Sequence, residues 1–120
     1  MGSMIDVKKH PYLHCHELEA LKGIIDAVTD RFPWIGKIIL YGSKARGDFR
    51  EESDVDLLFA VEGKVSRDEK TRIYDLLFGF EVDHGVLVSV VFASPDDLAE
   101  GTSAVLRRVR KEGIEVWSRE

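Results

Sequence analysis

Ten residues separate two patterned segments: the β-rich run Lys37–Tyr41, which stops at Gly42-Ser43, and Asp54-Val55-Asp56, which heads the run to Val61. Side chains alternate along a strand, so Asp54 and Asp56 face one way while Val55, Leu57 and Phe59 face the other and enter a core. Two carboxylates on one face repel unless positive charge lies between them. Oxygen-only ligands of this kind suit Mg²⁺ or Mn²⁺, and magnesium usually takes one or two carboxylates together with substrate phosphates. Gly42 lets the backbone turn sharply and approach a ligand closely. Ser43 is expected to cap the short helix that follows, whose first N–H groups attract phosphate. Lys44 and Arg46 add positive charge beside it. For the phosphate turn to meet the carboxylates, the two strands must run antiparallel.

The flanking segments alternate between helical and strand periods, which places the chain in the α/β (α+β) class, with a small mixed sheet flanked by helices. Leu18, Leu21, Ile25, Val28 and Phe32 form the apolar stripe of a helix over about 12–32. This stripe serves a core, and a homodimer contact would use the same positions. Ser66 and Glu69 make a capping box for a helix over 67–81 that buries Ile73, Leu76, Leu77 and Phe80. Gly85 opens a third strand, Val86–Phe92. Ser94-Pro95 starts a further helix. Thr102–Lys111 reads as another, stopped by Gly113 and directing Val105, Leu106 and Val109 inward. Ile114–Trp117 suits a small last strand. The predicted order is α-β-α-β-α-β-α-α, with that strand to close it.

Residues 1–120 are read as one domain, with Met1-Gly2-Ser3 before Met4 a cloning scar. Leu, Ile, Val and Phe make up 38 of the 120 residues, enough for a folded core. The net charge of −5 disfavours non-specific nucleic-acid binding. A single cysteine excludes an internal disulfide and a multi-thiolate zinc site. Cys15 reads as a buried small hydrophobe or an inert thiol. No apolar run reaches membrane-spanning length and no signal peptide is evident, so the expected compartment is the cytoplasm, with no membrane contact. His10, His14 and His16 read as surface histidines near a frayed end. Arg107, Arg108, Arg110 and Lys111 read as a solvated helix face, the rival reading being a patch for an acidic partner. Trp34 and Trp117 read as core.

Gly42-Ser43-Lys44-Ala45-Arg46-Gly47-Asp48 with Ser53-Asp54-Val55-Asp56-Leu57-Leu58 resembles the signature of the nucleotidyltransferase superfamily, which is polymerase-β-like. More narrowly it resembles the minimal nucleotidyltransferases. The motif covers residues 41–58, and the element order extends the likeness over about 14–117. The resemblance implies that Gly42 and Ser43, with Lys44 and Arg46, bind the triphosphate of an NTP, preferably ATP. It also implies that Asp54 and Asp56 hold Mg²⁺ and carry catalysis, and that AMP passes to a hydroxyl with release of pyrophosphate. Many active members carry a third carboxylate in the third core strand. Here Ser89 stands where that acid is expected, and a hydroxyl is a poor Mg²⁺ ligand and a poor base. Asp83 shares the parity of Ser89 on a continuous strand but lies about 20 Å away along it.

The nucleotide site takes up nearly all of the chain, so a separate protein is expected to present the acceptor. The resemblance implies a helical HEPN-type partner, often paired as toxin to antitoxin. Two functions stay open: an Mg²⁺-dependent nucleotidyltransferase acting on that partner, and an antitoxin-like module with impaired chemistry that acts by binding. No residue can be assigned to the nucleobase.

Overall fold

The structure is a computed structural model that describes residues 13–46 and 54–119. Residues 1–3, read as a cloning scar, and His10, Gly47, Asp48 and Ser53 lie outside the described residues. The described elements are α1 (Cys15–Arg31), β1 (Ile35–Tyr41), α2 (Ser43–Arg46), β2 (Val55–Val61), α3 (Arg67–His84), β3 (Val88–Ala93), α4 (Pro95–Glu100), α5 (Ala104–Glu112) and β4 (Ile114–Ser118). The predicted order is reproduced, and the closing strand is present.

The strands form one mixed sheet in the order β3-β2-β1-β4. β1 is antiparallel to both β2 and β4, as the chemistry of the turn and the carboxylates required. β2 is parallel to β3, and α3 makes the crossover between them. Alternation then sorts the side chains into two layers. Val55, Leu57, Phe59 and Val61 pack with Ile38 and Leu40 against Leu21, Ile25 and Val28 of α1 and Ile73 and Leu77 of α3. The α1 stripe is therefore spent on the core. On the opposite face Ile39, Tyr41, Leu58 and Ala60 meet Val109, Val105 and Leu106 of α5 and Leu98 of α4. Trp117 is buried and Trp34 packs half-buried against the core, as expected.

β1 starts at Ile35 rather than Lys37 and α1 at Cys15 rather than about residue 12, and three further boundaries differ from the sequence reading for a local reason. α3 runs to His84 because Gly85, at φ +67°, ends it with a left-handed cap whose N–H donates to the Glu81 carbonyl. The last turn, Glu81–His84, carries no apolar residue on the core stripe, so periodicity alone stops early. Asp83 is consequently helical, and β3 starts at Val88 rather than Val86. α5 begins at Ala104, with the Ser103 hydroxyl accepting from the Leu106 N–H. The capping box at Ser66 and Glu69 and the Ser94 cap are present. Cys15 is exposed, which corrects its reading as a buried residue: it opens α1 on the solvent side. His14 and His16 are exposed, with their rings stacked at 5.8 Å. Among the described residues no helix is long and apolar enough to cross a membrane.

Candidate functional site

β1 delivers Tyr41 and Gly42 to the end of the sheet where β2 begins, and Asp56, the second residue of β2, is the register partner of Tyr41. Gly42 has φ +80°, a conformation that side chains resist. A Cβ there would collide with the Asp56 carboxylate, at Oδ2. Glycine is thus required twice, for the backbone angle and for the space.

The Gly42 carbonyl accepts the Ala45 and Arg46 N–H groups, both at 3.1 Å. Gly42, not Ser43, therefore takes the cap position of α2, and Ser43 is its first helical residue. This corrects the expected serine cap. Ser43 still stands at the start of the turn, where helical N–H groups lack internal partners.

Lys44 departs from its expected place. Its side chain is fully buried, and Nζ lies 2.7 Å from Glu17 Oε2, itself 4% exposed. Glu17 Oε1 also accepts the His14 N–H at 2.9 Å. The charge of Lys44 therefore points down into α1 rather than up at the phosphate turn. The pair ties α2 to α1.

Arg46 does face the site. Its Nη1 donates to both carboxylate oxygens of Glu112 at 2.9 Å. Arg108 Nε stands 3.8 Å from the same carboxylate. The charges of both arginines reach Asp56 and pull its pKa down. Burial, first, and the neighbouring charge of Asp54, second, outweigh them, and the Asp56 carboxyl is held above its ordinary value. The expected repulsion within the carboxylate pair is thus present, though burial exceeds it. The Tyr41 hydroxyl is likewise raised, by burial and then by Asp56, against Arg108.

Across the other side of β2, Asp56 pairs in register with Ser89 of β3. In a parallel pair, register partners share a face, so Ser89 stands beside Asp56. Asp83, on α3, is no substitute. No cluster of three metal-ligating side chains forms among the described residues. Asp54 and Asp56 nonetheless supply the hard oxygen donors that magnesium shares with substrate phosphates.

The sequence reading missed Arg108 and Glu112 as site residues and undervalued Tyr41. Arg107, Arg108, Arg110 and Lys111 are all exposed, as expected, but Arg110 donates to the Leu98 and Gly101 carbonyls and the charge of Arg108 reaches Asp56. The four-residue spacing of Arg108 and Glu112 was a visible signal. The docking of α5 over the end of β1 was not.

Residues 21–114 match the family described as Nucleotidyltransferase domain. A candidate protein adenylyltransferase of Methanocaldococcus jannaschii is 35% identical over 82 residues, spanning 68% of this chain and 77% of that protein. The crystal structure of a candidate nucleotidyltransferase from Sulfolobus solfataricus aligns over 94% of this chain and 86% of that one, with a TM-score of 0.62 and 20% identity. A tri-AMPylated HEPN toxin of Shewanella oneidensis in complex with its MNT antitoxin contains a chain that aligns at a TM-score of 0.56 and 19% identity. That match covers 86% of this chain and 72% of that one.

Proposed function

This chain belongs to the nucleotidyltransferase domain family, and on that premise we propose that it binds magnesium–ATP and transfers AMP to a hydroxyl of a HEPN-type protein. The observation that carries the proposal is the seating of Asp56 against Gly42, which joins the phosphate turn to the carboxylate pair. Gly42 and Ser43 would cradle the β- and γ-phosphates on backbone N–H groups. Arg46 and Arg108 would exchange the Glu112 carboxylate for phosphate oxygens, a better partner for two guanidiniums. Asp54 and Asp56 would hold Mg²⁺, with Mn²⁺ as a substitute. The metal, when bound, supplies the positive charge that offsets the triphosphate and the carboxylates together. The acceptor oxygen attacks the α-phosphorus, the bond to the β-phosphate bridging oxygen breaks, pyrophosphate leaves, and the hydroxyl proton passes to solvent.

The HEPN assignment follows the likeness to the toxin–antitoxin complex. Adenylylation of a protein follows the likeness to the archaeal relative. A second reading is an antitoxin-like module that acts by occlusion, and Ser89 beside Asp56 favours it. Incubation with labelled ATP, Mg²⁺ and a HEPN-type protein separates the two. Label on the partner that disappears with Asp56→Ala supports transfer. A tight complex with no label supports the module.

A further inference from the structure

The flank of α3 that faces away from α1 carries an apolar stripe bordered by charge, with Lys70 Nζ 5.6 Å from the centre of the Phe92 ring. Phe80 packs toward α1, against Gly23. The opposite flank carries Tyr74, Phe78 and Val82, one turn apart, and Leu87 follows; all four are between 49% and 64% exposed. This stripe overhangs β3: the Tyr74 ring meets Phe92 at 6.3 Å, and Glu81 Oε2 accepts the Val88 N–H at 2.9 Å.

Among the described residues, β3 is the last strand on that side of the sheet. Edge strands normally carry charge, proline or a bulge that blocks pairing. Val88-Ser89-Val90-Val91-Phe92-Ala93 carries neither charge nor proline, and its register with β2 is unbroken. The Leu87 carbonyl accepts from the Val55 N–H, so alternate residues from Leu87 onward bond β2, while Val88, Val90 and Phe92 direct their backbone groups outward. Glu81 takes the outward N–H of Val88.

We propose that this face is the dimer interface between two copies of the chain, formed by antiparallel pairing of β3 with β3 about a two-fold axis at Val91. That register uses only Val90 and Phe92: each donates to and accepts from the other residue of the second copy, giving four hydrogen bonds. It leaves the Val88 N–H with Glu81. It also fits the helices. A crossover helix centred over the two strands it joins, as α3 joins β2 and β3, has its axis about half a strand spacing inside the outer strand. The dyad lies another half spacing outside, which separates the two α3 axes by about two strand spacings, ~9.6 Å, within the 8–10 Å of packed helices. The stripes then face each other, because a two-fold axis normal to the sheet keeps both α3 helices on one side. Phe92 lies level with Tyr74 and Val88 with Glu81. The antiparallel helices therefore set Arg67, at the head of α3, near Glu81 of the second copy, opposite charges at both ends of the contact. The dimer does not depend on nucleotide chemistry.

Sedimentation equilibrium of the full chain tests it, with Phe78→Glu on the exposed stripe and Val90→Pro on the strand edge. The expected result is a wild type at twice the 13.6 kDa chain mass and a monomeric Phe78→Glu with an unchanged circular dichroism spectrum. Val90→Pro should also be monomeric where it folds. A monomeric wild type at about 100 µM, roughly a hundredfold above a micromolar dissociation constant, overturns the proposal. So does a dimer that Phe78→Glu leaves intact. A wild type that is monomeric alone but captures a helical protein through Phe78 overturns it in favour of a different occupant.

Discussion

Gly42 lies directly against the carboxylate of Asp56, with no room between them for a methyl group. Thirteen residues of chain separate the two, and β1–β2 pairing returns Asp56 to the turn. Turn and carboxylate are one structural unit.

Gly42→Ala should therefore fail twice. The φ of +80° is strained for alanine, and the new Cβ displaces Asp56. The strain alone costs more than about 1 kcal/mol. Thermal melts with and without MgATP are the check: a lower melting temperature and no ligand-induced rise are expected. A variant that keeps the full rise would detach Gly42 from the binding site.

The Asp56 carboxyl titrates above its ordinary value through burial and then Asp54. The folded state therefore binds more protons than the unfolded one, and stability falls as pH rises through the folded pKa. In metal-free buffer Asp56→Asn should melt above the wild type at pH 7. The gap should close as pH drops below about 4, where the unfolded carboxylate also protonates. Melts in a chelator across pH 3–8 would show a constant or inverted gap if burial did not disfavour the charge.

Ser89 is the cross-strand neighbour of Asp56 on the same face. Ser89→Asp should add a hard anionic ligand and tighten Mn²⁺ binding severalfold. Calorimetric titration decides; unchanged affinity in a folded variant would mean that the residue 89 side chain does not reach the metal.

Glu17 and Lys44 form an ion pair almost out of water. Removing one partner strands the other, at a cost of about 3–5 kcal/mol. Glu17→Gln and Lys44→Met should each lower the urea midpoint strongly, and the double variant should recover part of the loss. Equal and additive losses would show that the two side chains are not coupled.

Much of this was readable in the chain. The Gly-Ser and Asp-x-Asp spacing pointed to the antiparallel pair, and apolar periods together with cap and turn residues located the helices to within a few residues, because each signal is local. Ser89 was also legible, since strand parity needs only a start and a count. Lys44 was not. Its charge beside a glycine turn looks like a phosphate ligand until α1 brings Glu17 beneath it. Arg108 and Glu112 were hidden for the same reason: they reach Asp56 and Arg46 only through the docking of α5. Charged side chains read locally as solvent-facing, and only tertiary placement tells which of them are not.

The place of β1 has a consequence for how the molecule comes into being. β1 lies between β2 and β4, and β4 is the last described strand to leave the ribosome. Throughout synthesis one edge of this apolar strand stays bare, and the contact of Arg46 with Glu112 spans 66 positions. Such long-range pairing slows folding and leaves a nascent chain open to wrong partners. Loss of the segment beyond Gly113 would make that temporary exposure permanent. The site at the front of the sheet thus depends on a strand that touches none of its chemistry.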